Sequence, residues 1–256
     1  MTALLPDLAL PVLLAAIAIG FVAGVVKGMV GFAMPMIMIS GLTSLLPPEL
    51  ALAGLILPTL VTNGMQALRQ GAGAAWQSLK RFRLFLAVGL VFLLGSAQLV
   101  AVLPVQWLLL AIGLPISVFA MLQLAGWQLK LAPGTRPGLE AGIGAFAGFI
   151  GGLSGVWGPP TVAYLTAIGT EKTEQMRVQG VIYGLGAVAL TIAHIGSGVL
   201  NERSVWFSAL LLPTAVCGMW IGNRIQDRID QRAFRRATLA VLLVAGLNLI
   251  RRAMMG

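Results

Sequence analysis

The sequence predicts an all-α, polytopic membrane protein made of two inverted repeats of about five helical segments each, with helices broken at Gly/Pro motifs. Three observations carry this expectation. The chain is 58% hydrophobic and only 10% charged, with 32 glycines in 256 residues and a mean hydropathy of +0.93, whereas soluble domains carry about 25% charged residues. Its apolar residues fall in runs of about 15–25, the length that crosses a bilayer as a helix. A glycine-rich stretch, GVVKGMVGFAMP at 24–35, returns as GFIGGLSGVWGP at 148–159.

The runs lie at 8–26, 29–46, 50–68, 84–103 and 107–125, then at 139–153, 157–169, 178–200, 205–223 and 237–250. All ten are read as helices. An open sheet edge leaves backbone groups unpaired in lipid, and the alternating pattern of a membrane strand is absent. Trp76, Trp107, Trp127 and Trp206 fall at run edges, where an amphipathic ring suits the headgroup zone. Ahead of the first run stands Asp7 and no basic residue, unlike a cleavable leader. The single cysteine, Cys217, lies within the ninth run and is read as a small packing residue.

Basic residues set the orientation. Arg69, Lys80, Arg81 and Arg83 follow the third run, Lys130 and Arg136 the fifth, and Arg224, Arg228, Arg232, Arg235 and Arg236 the ninth. If every run crosses, these three loops share one side. The positive-inside rule makes that side cytoplasmic and places both termini outside. The formal charge of +9 is then an orientation signal, and no nucleic-acid partner is expected. Arg251 and Arg252 breach the rule mildly, after a short last run.

A shift of 124 positions lays Gly20, Ala23, Gly24, Gly28, Gly31 and Pro35 on Gly144, Ala147, Gly148, Gly152, Gly155 and Pro159. Five runs precede the linker GWQLKLAPGTRP at 126–137, and five follow it. An odd number of crossings per half turns the second half upside down. The expected organisation is a first transmembrane repeat over 1–125, a cytoplasmic linker over 126–138 and a second repeat over 139–256. Inverted repeats are a transporter architecture with the site near the midplane, although a duplication kept for structure alone leaves the same trace.

Gly20, Gly24 and Gly28, like Gly144, Gly148 and Gly152, recur every four residues, which lines one helix face with small residues and lets another backbone approach. Pro35 and Pro159 disfavour helix at the preceding Met34 and Gly158 and suit the first turn of a new helix. Each stretch therefore reads as helix, break, helix start. Runs 139–153 and 157–169 cover only about 20 Å of a roughly 30 Å core, so the break falls within the membrane. Irregular backbone there must be buried in protein or line a cavity.

A helix start offers N–H donors and a partial positive charge, which suit an anion. Two starts related by the inversion are expected to converge on one small anion. The candidate binding residues are Lys27, Gly28, Gly31 and Pro35 in the first copy, Ser154, Gly155, Gly158, Pro159, Thr161 and Tyr164 in the second, and Asn63 in the third run. Lys27 is either a cation beside the first break or an interfacial lysine that snorkels. Ser154, Thr161 and Tyr164 offer hydroxyls, or serve packing and capping. Asn63, with Gln66, Gln179 and Tyr183, lines a site or bridges helices. His194, the only histidine, is a proton carrier or a packing residue.

Asp7, Glu49, Glu140, Glu171, Glu174, Glu202, Asp227 and Asp230 all lie at run edges or in loops. Cation carriers place acids inside the bundle, so the cargo is read as an anion. HExxH, GxSxG and Cys/His clusters are missing, so no metal, cofactor or enzymatic activity is expected. A membrane-embedded enzyme would have only Ser154 and His194 as nucleophile and base, with no third group. A non-transporting assembly subunit would use the small-residue faces and leave the paired breaks unexplained.

AGVVKGMVGFAMP and AGFIGGLSGVWGPP, repeated in one small polytopic chain, resemble the TauE/SafE family of sulfite exporters, over essentially the full length. The resemblance implies a transporter that moves sulfite, organosulfonates or related sulfur-containing anions across a bacterial inner membrane. Its partners would be the anion and the lipid bilayer, with a homo-oligomer left open. Gly155, Gly158 and Pro159 match the family's glycine–proline turn. The first copy departs from it: Phe32, Ala33 and Met34 stand where the family often has further glycines, and Lys27 is an added charge.

Overall fold

The computed structural model describes residues 8–97, 105–127, 137–154, 158–196 and 198–255. Among these residues the secondary structure is helical, without strands. The elements are α1 (Leu10–Val30), α2 (Met34–Leu42), α3 (Pro48–Leu68), α4 (Ala72–Arg81), α5 (Arg83–Ala97), α6 (Val105–Leu124), α7 (Pro137–Ser154), α8 (Gly158–Ala167), α9 (Lys172–Gly196), α10 (Ser204–Arg228) and α11 (Gln231–Met255). Five of them, α1, α3, α9, α10 and α11, are long and apolar enough to cross a membrane. Their exposed residues, such as Leu14 and Val22 on α1, Ile192 on α9 and Val244 on α11, are those of a lipid-facing surface.

Each apolar run has its helix, but the helices run further than the apolar residues. The basic segment after the third run is the helix α4, not a loop. The arginine-rich segment after the ninth run is helical up to Arg228 and again from Gln231. Hydropathy marks where lipid touches the chain, whereas arginine, lysine and glutamine continue a helix readily. For the same reason α11 has 25 residues and spans about 37 Å, so the last segment is not short. Cys217 is exposed on α10, which corrects its reading as a packing residue. Most of the expected linker lies outside the described residues, and α7 starts at Pro137.

Apart from Asp7, which lies outside the described residues, the acids fall at helix ends or between helices, as expected. Glu49, Glu140 and Glu174 occupy the first turns of α3, α7 and α9, which suits the positive end of a helix. Asp227 lies in the last turn of α10 and is held by Arg69.

The helices gather into two compact units, and both halves of the sequence contribute to each. The first unit is Met1–Ala75 with Met176–Asp230, and the second is Trp76–Gln175 with Gln231–Gly256. In the first, α1 lies against α10 through glycines. A Cβ on Gly24 would overlap Ala215 O, and one on Gly218 or Gly222 would overlap Phe21 O or Val25 O. Below them Met34, Met38 and Leu42 of α2 pack with Ala16, Ala23, Phe207 and Leu211. Pro58 interrupts the ladder of α3. The loss is made good by α10, whose Ser208 Oγ accepts from Leu57 N (3.0 Å) and donates to Gly54 O (3.4 Å), the kind of repair that lets proline sit inside a membrane helix.

In the second unit the second glycine face does the same with a different partner. A Cβ on Gly144 would stand 2.7 Å from Phe85 O, and one on Gly148 would overlap Gly89 O, so α7 lies directly on α5. α6 and α11 approach at Gly113 and Gly246, where a Cβ on Gly113 would be 2.8 Å from Gly246 O. Phe85 stacks on Tyr164 of α8, ring centres 5.7 Å apart.

Candidate functional site

The first break is well defined. α1 continues through Lys27 to Val30 and ends in a left-handed cap at Gly31, φ 87°, whose N–H donates to Lys27 O. Ala33 is also left-handed, at φ 72°, the one non-glycine with positive φ among the described residues. α2 then starts at Met34, with Pro35 in its first turn and no side-chain cap. Its first N–H groups therefore have no acceptor within the helix. α2 has nine residues and is about 13 Å long, too short to span a bilayer.

The backbone of Ala33 holds a conformation that glycine adopts freely. The left-handed region costs an L-residue about 1–2 kcal/mol. Ala33→Gly is therefore expected to stabilise the protein by about 0.5–1 kcal/mol, after the extra backbone entropy of glycine. Unfolding midpoints in detergent check this, and an unchanged or lower midpoint contradicts it.

Lys27 is buried, at 1% exposure. Among the described residues its Nζ has one hydrogen-bond partner, Asn63 Oδ1 of α3. Asn63 Nδ2 in turn donates to Tyr183 O of α9, 3.2 Å away. One turn further along α3, Gln66 Nε2 donates to Gly31 O (3.1 Å) and to Met176 O (2.7 Å). Gln179 is fully buried beside Gly31. Two amides thus tie α1 to α3 and α9 on successive rungs, at Lys27 and at Gly31. A lysine amine brings up to three N–H donors, and among the described residues no carboxylate pairs with this one. A buried positive group without a counter-charge is costly.

Of the expected site residues, Lys27, Gly31 and Asn63 come together here, with Pro35 opening α2 nearby in sequence. Gly28 lies in the contact with α10, where a Cβ would overlap Met219 O and stand 2.9 Å from Gly222 Cα. Gln66 and Gln179 complete the cluster. The sequence signal for Gln66 was its three-residue spacing from Asn63 in an otherwise apolar run. His194 is on α9, eleven residues beyond Tyr183, about 16 Å along the helix axis.

In the second unit α7 ends at Ser154 and α8 starts at Gly158. Gly155 lies outside the described residues, as does the side chain of Ser154. Pro159, Thr161 and Tyr164 are all buried on α8. α8 has ten residues, about 15 Å, so it is as short as α2.

The family model described as "Sulfite exporter TauE/SafE" matches residues 16–249. The chain belongs to the TauE/SafE family. It is thus a multi-pass membrane protein of an anion-transporter family. The match takes in every TauE/SafE-like residue discussed above, from the first glycine face to the last helix. No curated protein and no solved structure matches the chain.

Proposed function

We propose that this protein exports a small sulfur-containing anion, sulfite, a sulfonate or a close relative, across the bacterial inner membrane. The anion is received at the start of α2 by Lys27 and the N–H groups of that helix's first turn. The observation that carries the reading is the buried Lys27, which among the described residues has an amide but no carboxylate as partner, in a chain of a sulfite-exporter family. The start of α8, with Gly158, Pro159, Thr161 and Tyr164, offers the same helix-start chemistry in its own unit. The inverted-repeat reading draws support from the helix partners. α1, of the first half, packs on α10 of the second, and α7, of the second half, packs on α5 of the first.

Export of an anion needs no acidic relay. An inside-negative potential favours outward movement by about 2.3 kcal/mol per charge for each 100 mV, roughly a 50-fold concentration ratio. The test is sulfite flux from proteoliposomes with an imposed potential. Outward flux should rise as the inside is made more negative and reverse with the sign of the potential. Flux that is absent, or indifferent to voltage, contradicts uncoupled anion export.

A further inference from the structure

Gln66 holds an acceptor that the protein does not use. Its side chain is 2% exposed, and Nε2 spends both hydrogens on the carbonyls of Gly31 and Met176. Those two acceptors fix which end of the amide is nitrogen, because the reverse assignment would set oxygen against two carbonyl oxygens. Oε1 is therefore a true acceptor, and it is buried with no donor among the described residues. Buried polar atoms nearly always find a partner. Asn63 Nδ2 donates to Tyr183 O, and Lys27 Nζ, whose hydrogen bond is to Asn63 Oδ1, makes none to Gln66 Oε1. The orphan sits one helical turn from Asn63 and on the residue that clamps Gly31, so it belongs to the rung beside Lys27 at the start of α2.

We infer that Gln66 Oε1 is a specificity determinant: it selects singly charged sulfur oxyanions that carry a hydrogen-bond donor on sulfur, as hydrogensulfite does, over those that do not. This rests on the reading of the Lys27 cluster as the anion site. Lys27 supplies donors for the negative oxygens. Gln66 supplies the one group in the cluster that needs a donor from the ligand. A fully deprotonated or alkyl-capped anion leaves that acceptor unpaired and loses the corresponding hydrogen bond.

Sulfamate and methanesulfonate test the inference, because both are small monoanions of similar shape and only sulfamate has N–H donors on the group attached to sulfur. In proteoliposomes of the wild-type protein, co-loaded sulfamate should inhibit sulfite efflux at a concentration about tenfold lower than methanesulfonate, the worth of one hydrogen bond. Gln66→Leu should erase the difference. Gln66→Lys keeps donors for Gly31 O and Met176 O while removing the acceptor, and should erase it too. Equal inhibition by the two anions in the wild-type protein overturns the inference and leaves anion export standing. So does a preference that survives in either folded variant. If both variants fail to fold, the wild-type comparison alone decides. If neither anion inhibits, or sulfite does not move, the anion-site reading falls and the inference falls with it.

Discussion

Lys27→Met should lower sulfite flux by about 10- to 100-fold without lowering the stability of the fold. The two halves of this prediction have separate physical origins. A charge-assisted hydrogen bond to an anion is worth about 1.5–3 kcal/mol, and every 1.4 kcal/mol is tenfold. Methionine has a similar length and no donor, so the whole of that contribution is lost. For the fold the balance is different. Lys27 is buried with one amide partner, and replacing an uncompensated buried charge by an apolar side chain of similar volume is often neutral or stabilising. Relief of that desolvation offsets the partner lost by Asn63 Oδ1. Flux in proteoliposomes and the unfolding midpoint in detergent are measured on the same preparation. A variant that transports normally contradicts the assignment of Lys27, and one that loses flux only because it unfolds points to a structural role.

The largest effect on stability is expected at the glycine faces. In Gly24→Ala the new Cβ would overlap Ala215 O, with Ala215 C and Met219 N at 3.0 Å. In Gly148→Ala it would overlap Gly89 O, with Gly89 Cα at 2.8 Å. Both obstacles are backbone, which cannot rotate away, so the helix pair must separate. Overpacking of this kind costs about 1–3 kcal/mol and at times more, and leucine at either position should prevent folded protein from accumulating. The controls are glycines in the same units with nothing within 4 Å of a Cβ, Gly64 on α3 and Gly142 on α7. There alanine should be neutral or raise stability by up to about 1 kcal/mol, the helix-propensity difference. Equal effects at contact and control positions contradict the backbone-contact account.

Much of this was legible in the sequence, and the reasons it ran out are specific. Hydropathy located the ten apolar helices because lipid contact demands apolar residues there. It missed α4 and the outer turns of α9, α10 and α11, since those residues are held by backbone hydrogen bonds and have no lipid to report. The break before Pro35 was readable from proline's own stereochemistry. The left-handed backbone of Ala33 was not, because nothing about an alanine requests that conformation. Lys27 and Asn63 stood out by type in an apolar context, yet their pairing depends on how α2 and α10, which pack on both α1 and α3, bring those two helices within side-chain reach. Gln66 was visible as a polar residue but not as an orphaned acceptor, since that status depends on where its nitrogen is spent. The mixing of both halves in each unit follows from helix partners that no run of residues announces.

Anomalous density from selenite, which shares the pyramidal shape and charge of sulfite, tests the central claim most directly. In a structure of the protein soaked or prepared with selenite, a selenium peak is predicted with its oxygens within hydrogen-bond distance of Lys27 Nζ and of the N–H groups at the start of α2. A peak confined to the basic helix ends, or Lys27 still capped only by Asn63 at saturating selenite, would contradict it.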